Sequence, residues 1–149
     1  MTTHKYFSVQ LMGVRGQGKF ALIDVESAYL VEGRNWFVND SGYALASING
    51  VNVRMHHLIL PSKPGFDVDH INRDKLDNRR SNLRYATRSM NNYNSGPPKT
   101  NTSGVKGVSW FKPAKKWRAY IGSRPRTELG YFDNFKEAVN AREQAEKAL

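Results

Sequence analysis

The chain contains no cysteine. That excludes a disulfide framework, a thiolate zinc site and a cysteine nucleophile. Histidine is nearly as scarce: His4, His56, His57 and His70 lack the partners and spacing of a structural zinc site. No apolar run approaches the ~20 residues that a membrane span needs, and no secretory leader is visible. A soluble, intracellular protein with no membrane partner is expected. Acidic residues are also few, 13 against 23 lysines and arginines, which leaves a net charge of +10.

What is there is unevenly placed. Residues 1–50 hold four basic and four acidic side chains, residues 51–95 eight and four, and residues 96–149 eleven and five. An acidic polymer suits a chain charged in this way, and nucleic acid suits it best. At 149 residues, with 39% hydrophobic content, the length fits one ordinary domain or two small modules.

The run NSGPPKTNTS at 94–103 is built from turn and breaker residues, and its two prolines make it a semi-extended linker. The expected division is a front domain over 1–94, a linker over 95–103 and a back domain over 104–149. In the front domain, strand signals at Tyr6–Leu11, Lys19–Val25, Trp36–Val38 and Tyr43–Ile48 predict a small antiparallel sheet. Asn49-Gly50 predicts a two-residue hairpin turn, since both positions want positive φ. A short helix over 56–60 is stopped by Pro61, and strand 68–71, a charged loop, strand 83–86 and a helix capped by Thr87 or Ser89 follow. The back domain reads as strands at 106–111, 117–123 and 127–132, then a helix capped by Asn134. Ala138, Ala141, Ala145 and Leu149 share the helix face expected to pack on that sheet. The fold class is α+β.

The most telling stretch is VDHINRDKLDNRRSNLRYATRSMN, at 68–91. It sets Asp69 beside His70 on a strand, with Asn82 and Asn91 following Asp69 by 13 and 22 positions. A hard cation takes carboxylate and amide oxygens and leaves positions open for water and phosphate. A neighbouring imidazole can take the proton from an attacking water. One carboxylate, one amide oxygen and one histidine therefore suffice for metal-assisted phosphodiester hydrolysis. An EF-hand reading of the same stretch is poor, because counting from Asp67 its sixth and twelfth positions hold Asn72 and Asn78 rather than Gly and Glu. For Asp74, Asp77 and Asn78 a solvated turn, bonded to its own backbone, is the expectation.

Asp69-His70-Ile71-Asn72, Asn82-Leu83-Arg84 and the Asn-rich helix after them resemble the HNH nuclease motif in its phage form, whose last histidine is replaced by asparagine. Met55 to Ile59 is similar to the segment that precedes that motif, and the likeness covers roughly residues 50–95. The resemblance implies a ββα-metal unit. In it Asp69 binds one Mg2+ or Mn2+ ion, His70 is the general base, Asn82 holds the loop so that His70 points at the scissile phosphate, and Asn91 completes the protein ligands. Asn92 and Asn94 compete for that last role. His57 stands where the family usually has arginine, and His56 is at least as well read as a packed histidine as a catalytic one. Arg73, Arg79, Arg80, Arg84 and Arg88 flank the site, where they either hold the DNA backbone, Arg84 and Arg88 foremost, or form a solvated face.

Alternation divides the back sheet into two faces. Val108, Trp110, Trp117, Ala119, Ile121, Leu129 and Tyr131 are expected against the helix, and Ser109, Phe111, Arg118, Tyr120, Arg126 and Glu128 on the other side. Lys106, Lys112, Lys115, Lys116 and Arg124 lie at edges or turns. Such a face can enter a DNA groove, with arginines reading guanine and lysines holding phosphate. The segments SGVKGVSW at 103–110, KWRA at 116–119 and LGYFD at 129–133 resemble the APETALA/ethylene-response-factor type of DNA-binding domain. That likeness implies a sheet that lies in the major groove of double-stranded DNA.

The combined expectation is a metal-dependent DNA endonuclease of the phage or homing type, phage-encoded and acting in the cytoplasm of a bacterial host. The front module nicks or cuts, and the back module holds the site. Two rivals stand beside it: a DNA-binding regulator with an inactive nuclease domain, and an RNA-directed nuclease or binder. Monomer and homodimer are both left open.

Overall fold

The structure is a computed structural model that describes residues 5–122 and 125–149. His4, Ser123 and Arg124 lie outside the described residues. The chain divides into two compact units, Met1–Asn91 and Asn92–Leu149.

The first unit opens with a ribbon in which β1 (Tyr6–Gln10) pairs antiparallel with β2 (Phe20–Asp24), Tyr6 opposite Asp24 and Gln10 opposite Phe20. A short helix α1 (Ala28–Val31) follows, then β3 (Phe37–Val38), β4 (Ala44–Ile48) and β5 (Val51–Arg54) in a second antiparallel sheet. The single small sheet expected from the sequence is thus two sheets. Among the described residues an isolated bridge, Met12 to Phe37, joins the two. Asn49 and Gly50 take φ of 51° and 78° between β4 and β5, the left-handed pair that a tight hairpin needs. Trp36, 1% exposed, packs with Leu11, Ile23, Val38, Ala46 and Met55, and its indole N–H donates to the Val31 carbonyl at 2.9 Å. A buried Trp needs that partner for its one polar atom.

Helix α2 (Met55–Ile59) continues directly from β5 and ends at Leu60, ahead of Pro61. Then β6 (Asp67–His70) pairs antiparallel with β7 (Leu83–Ala86), placing Asp69 opposite Arg84 and His70 opposite Leu83. The connection between them is tied down from below. Leu22 of β2 donates to the Leu76 carbonyl and accepts from the Asn78 amide, both at 2.8 Å, and Asp24 accepts from the Arg80 amide at 2.6 Å. Helix α3 (Arg88–Asn94) comes next, with Thr87 as its cap: the Thr87 hydroxyl accepts from the Met90 amide at 3.3 Å.

In the second unit β8 (Val108–Phe111), β9 (Lys116–Ile121) and β10 (Thr127–Phe132) form an antiparallel sheet in chain order, and α4 (Phe135–Lys147) packs on it. Val108, Ala119 and Ala138 are fully buried there, and the rings of Trp117 and Phe135 lie 4.7 Å apart. Asn134 caps α4, its side chain accepting from the Lys136 amide at 2.8 Å.

Three expectations change here. The register shifts between Glu128 and Gly130, so a bulge at Leu129 moves Tyr131 from the helix side to the Arg118 side, opposite the Arg118 position. Leu149 lies beyond the end of α4 and is 76% exposed, whereas Arg142, one turn after Ala138, is buried at 3%. Asn101 and Ser103, read as linker, are bonded into the second unit: the Asn101 side chain donates to the Val105 carbonyl, and the Ser103 hydroxyl contacts the Val105 and Val108 carbonyls. Among the described residues no helix is long and apolar enough to cross a membrane.

Candidate active site

The pairing of β6 with β7 sets the positions of the first two candidates. Asp69 and His70 are neighbours on β6, both buried, at 7% and 4% exposure. Their side chains leave opposite faces of the ribbon, as successive strand residues must. Asp69 meets Arg84 directly across the ladder, and Arg84 Nε and Nη2 both donate to Asp69 Oδ2, at 3.1 and 3.0 Å. Arg84, expected at a DNA phosphate, is here the cation that offsets a buried carboxylate.

His70 sits among aromatic rings. The His56 ring lies edge-on at 4.9 Å and the Tyr43 ring is tilted at 6.0 Å. His70 Nε2 is 2.9 Å from Asn78 Oδ1. The ring that the resemblance aims at a scissile phosphate is thus largely covered.

Asn82 closes the loop. Its side-chain amide donates to Asn72 Oδ1 at 2.9 Å and to the Asp77 carbonyl at 2.8 Å, while its own oxygen accepts from the Asn72 amide at 3.1 Å. The Ile71 amide donates to the Asn82 carbonyl at 2.9 Å. Those bonds hold both ends of the loop that follows His70.

The solvated-turn reading fits Asp74, whose carboxylate accepts from the Leu76 amide at 3.0 Å and is exposed. It fails for Asp77 and Asn78, which are 2% and 0% exposed. Asp77 accepts from Arg79 Nε and Nη2, each at 2.7 Å. Those donors hold its carboxyl below the usual range against the opposing effect of burial. Asn78 spans the interior between His70 and Met55, its Nδ2 donating to Met55 Sδ at 3.3 Å. Sequence reasoning missed Asn78 because nothing local separates it from a turn asparagine. Its role depends on Met55, 23 positions earlier.

His56 is 3% exposed, and its pKa is lowered to about 3, first by burial and then by the charges of His57, His70 and Arg54. It is a neutral packed histidine. His57 is half-buried and also lowered, by burial and then by Arg54. Asn91 lies on α3, its amide donating to the Thr87 carbonyl at 2.9 Å, with Asn92 and Asn94 on the same helix. Arg88, at the start of α3, is exposed and lines an open polar cleft with Gly65, Phe66 and Asp67. Arg79 and Arg80 are held by Asp77 and by the Ile59 carbonyl.

Among the described residues no group of three or more His, Cys, Asp or Glu side chains is arranged to hold a metal ion. The candidate donor set is of another kind: one carboxylate and the amide oxygens of asparagines.

In the second unit, Ser109, Arg118 and Tyr131 are cross-strand neighbours, and Tyr120 is opposite Glu128. Arg118 Nε donates to both Glu128 oxygens at 2.9 and 3.0 Å, which holds Glu128 below its usual range and raises Arg118. The Arg126 guanidinium lies 4.6 Å from the Tyr120 ring centre, and Phe111 lies 5.2 Å from Tyr131. Ser109, Phe111, Arg118, Tyr120 and Arg126 therefore share one region of the sheet. Lys112 is exposed, and Lys116 is ion-paired with Asp133 at 3.2 Å. Lys106 lies in the turn before β8, and its ammonium meets the Asn92 carbonyl and, at 2.9 Å, the Ser95 carbonyl, capping the end of α3.

Comparison with known proteins finds one family match and two relatives. Residues 53–93 match the HNH endonuclease family. The matched segment runs from β5 through α3 and holds Asp69, His70, Asn78, Asn82 and Asn91. Protein 3.8 of Escherichia phage T7 is 41% identical over 61 residues, 41% of this chain and 50% of that protein. An uncharacterized HNH endonuclease of Acanthamoeba polyphaga mimivirus is 36% identical over 110 residues, 70% of this chain and 56% of its own length. The chain thus spans about half the length of the curated relatives it matches. No solved structure matches it.

Proposed function

We propose that the protein is a metal-dependent DNA endonuclease of the HNH phage or homing type. In this reading the first unit nicks or cuts double-stranded DNA, and the second holds the site through the β8–β10 sheet. The observation that carries it is the Asp69-His70 pair on β6 inside the HNH-matched segment, with Asn82 bracing the loop behind His70.

The roles follow from the side chains. His70 takes the proton from an attacking water. Asn82 fixes the loop ends, so the imidazole is positioned before substrate arrives. Asp69 and Asn91 would hold one Mg2+ or Mn2+ ion. The donor chemistry fits, since both offer oxygen, and a site with so few protein ligands keeps positions for water and phosphate oxygens. The Asp69 side chain is 8% exposed and already carries a compensating cation in Arg84, as a buried anionic ligand requires. When bound, such an ion supplies charge neutralisation at the phosphate and the leaving 3′ oxygen. A single catalytic set cuts one strand per visit, so a double-strand break needs a second copy or a second visit.

The burial of His70, at 4% exposure, favours a second reading: a DNA-binding regulator whose nuclease site is inactive. Incubation with supercoiled plasmid and Mg2+ or Mn2+ separates the two. Nicked or linear product from the wild type, lost in Asp69→Ala and His70→Ala with DNA binding kept, supports the endonuclease. A gel shift indifferent to metal, with no product, supports the regulator. Cleavage of RNA that duplex DNA fails to compete away would turn the substrate assignment toward RNA.

A further inference from the structure

We infer that Asn78 is the positioning residue that sets the tautomer of His70, placing the ring proton on Nε2 and the basic lone pair on Nδ1. The catalytic meaning rests on the endonuclease reading above; the tautomer does not.

Asn78 is fully buried, and three separate contacts fix it. Its backbone amide donates to the Leu22 carbonyl of β2 at 2.8 Å, its Nδ2 donates to Met55 Sδ at 3.3 Å, and its Oδ1 is 2.9 Å from His70 Nε2. The sulfur decides which way the amide faces. A thioether has no hydrogen to give, so the NH2 end must point at Met55, itself 0% exposed. The oxygen end then faces the imidazole. An amide oxygen only accepts, so Nε2 must carry the hydrogen. In a neutral imidazole that hydrogen is the ring's one N–H, which puts the basic lone pair on Nδ1. The opposite amide orientation would set two acceptors, oxygen and sulfur, against each other inside the core.

The ring plane is fixed by the same packing, with His56 edge-on at 4.9 Å and Tyr43 at 6.0 Å. Asn78 also explains why the β1–β2 ribbon belongs to this unit. Leu22 grips both Leu76 and Asn78, so the ribbon holds the residue that orients the candidate base. In metal-site chemistry an acceptor on the far nitrogen of a histidine commonly selects its tautomer. Here that acceptor is a side chain, open to substitution.

The test uses the full-length chain and long-range 1H–15N correlation spectra of the imidazole rings, with His70→Gln identifying its resonances. The expected wild-type signature is a protonated Nε2 and a pyridine-like Nδ1. Asn78→Ala is expected to lose the single-tautomer pattern and about 100-fold in kcat for plasmid nicking, with KM and DNA affinity unchanged. Asn78→Asp keeps an oxygen acceptor and is expected to retain the Nε2–H signature even where Asn78→Ala fails to fold. A wild-type ring with its proton on Nδ1 overturns the inference. So does a folded Asn78→Ala chain with wild-type kcat. A wild type that cuts nothing defeats the endonuclease reading instead, and the spectrum still decides the tautomer.

Discussion

Asp69 and Arg84 face each other across β6 and β7, and both guanidinium donors converge on one carboxylate oxygen, Oδ2, at 3.1 and 3.0 Å. Removing the arginine takes away the cation that faces a buried anion across the ladder. Arg84→Gln is expected to lower stability by about 1–3 kcal/mol, the usual range for hydrogen bonds to a charged group. If Asp69 is a cation ligand, Mg2+ should restore part of that loss in Arg84→Gln. It should restore nothing in Arg84→Gln combined with Asp69→Asn. Urea unfolding with and without Mg2+ measures both effects. Equal Mg2+ responses in the two chains would remove Asp69 from the proposed ligand set.

His56 gives the fold a pH dependence of predictable sign. Its folded pKa, about 3, lies below the ordinary 6.5, because burial and then the fields of His57, His70 and Arg54 oppose its charge. The unfolded chain therefore binds the proton more readily. This contribution is complete above pH 6.5 and is lost as pH falls from there towards 3. The limiting slope for one such group is about 1.4 kcal/mol per pH unit. Asp77, also lowered, works in the same direction but only below its ordinary value of 3.8. Urea midpoints followed from pH 7 to pH 4 should fall in the wild type and flatten in His56→Gln. A parallel fall in the variant would assign the dependence elsewhere.

The elements legible in the sequence are those fixed by neighbours along the chain. Asn49-Gly50 reads as a hairpin turn because the demand for positive φ is local, and Asn134 reads as a cap, with Thr87 or Ser89 as another, for the same kind of reason. The adjacency of Asp69 and His70 is legible too. What is not legible is set by distant partners. Asn78 looks like any turn asparagine until Met55 and Leu22 close around it, and Arg84 looks like a phosphate contact until β6 brings Asp69 opposite. Tyr131 changes face because a single extra residue at Leu129 inverts the alternation after it, which strand periodicity cannot foresee. Arg142 hides for another reason, because a charged residue at a buried helix position contradicts the pattern that marks the face.

Gly107 is the least replaceable small residue of the second unit. Its φ is +78°, and an added Cβ would lie 2.4 Å from both the Tyr120 carbonyl oxygen and Arg142 Nε. The Tyr120 amide donates to the Gly107 carbonyl at 2.8 Å, so the backbone cannot simply withdraw. Gly107→Ala is expected to cost more than about 2 kcal/mol. The chain's three tryptophans divide the readout: Trp36 reports on the first unit, Trp110 and Trp117 on the second. Two-phase melting in Gly107→Ala, with Trp110 and Trp117 released early, is the expected result. Arg142→Met should be neutral or stabilising. Among the described residues its Nε and Nη1 have no hydrogen-bond partner, and its ion pair reaches only Glu146, at 2.7 Å.

The proposed DNA-holding sheet makes a prediction in salt. If about five phosphates are neutralised, log affinity against log salt should have a slope of roughly −4 to −5. The contributions should be unequal, because the cations are differently placed. Arg126 is exposed above the Tyr120 ring, and Arg126→Ala should weaken binding and flatten the slope by about 1. Lys106 spends its ammonium on the last carbonyls of α3, so Lys106→Ala should lower the melting temperature and leave the slope as it was. Filter binding to one duplex across a salt series checks all three chains. A flat wild-type profile would contradict the electrostatic argument from which the nucleic-acid assignment began. A slope lost in Lys106→Ala but kept in Arg126→Ala would move the contact surface from the sheet to the α3 end of the unit.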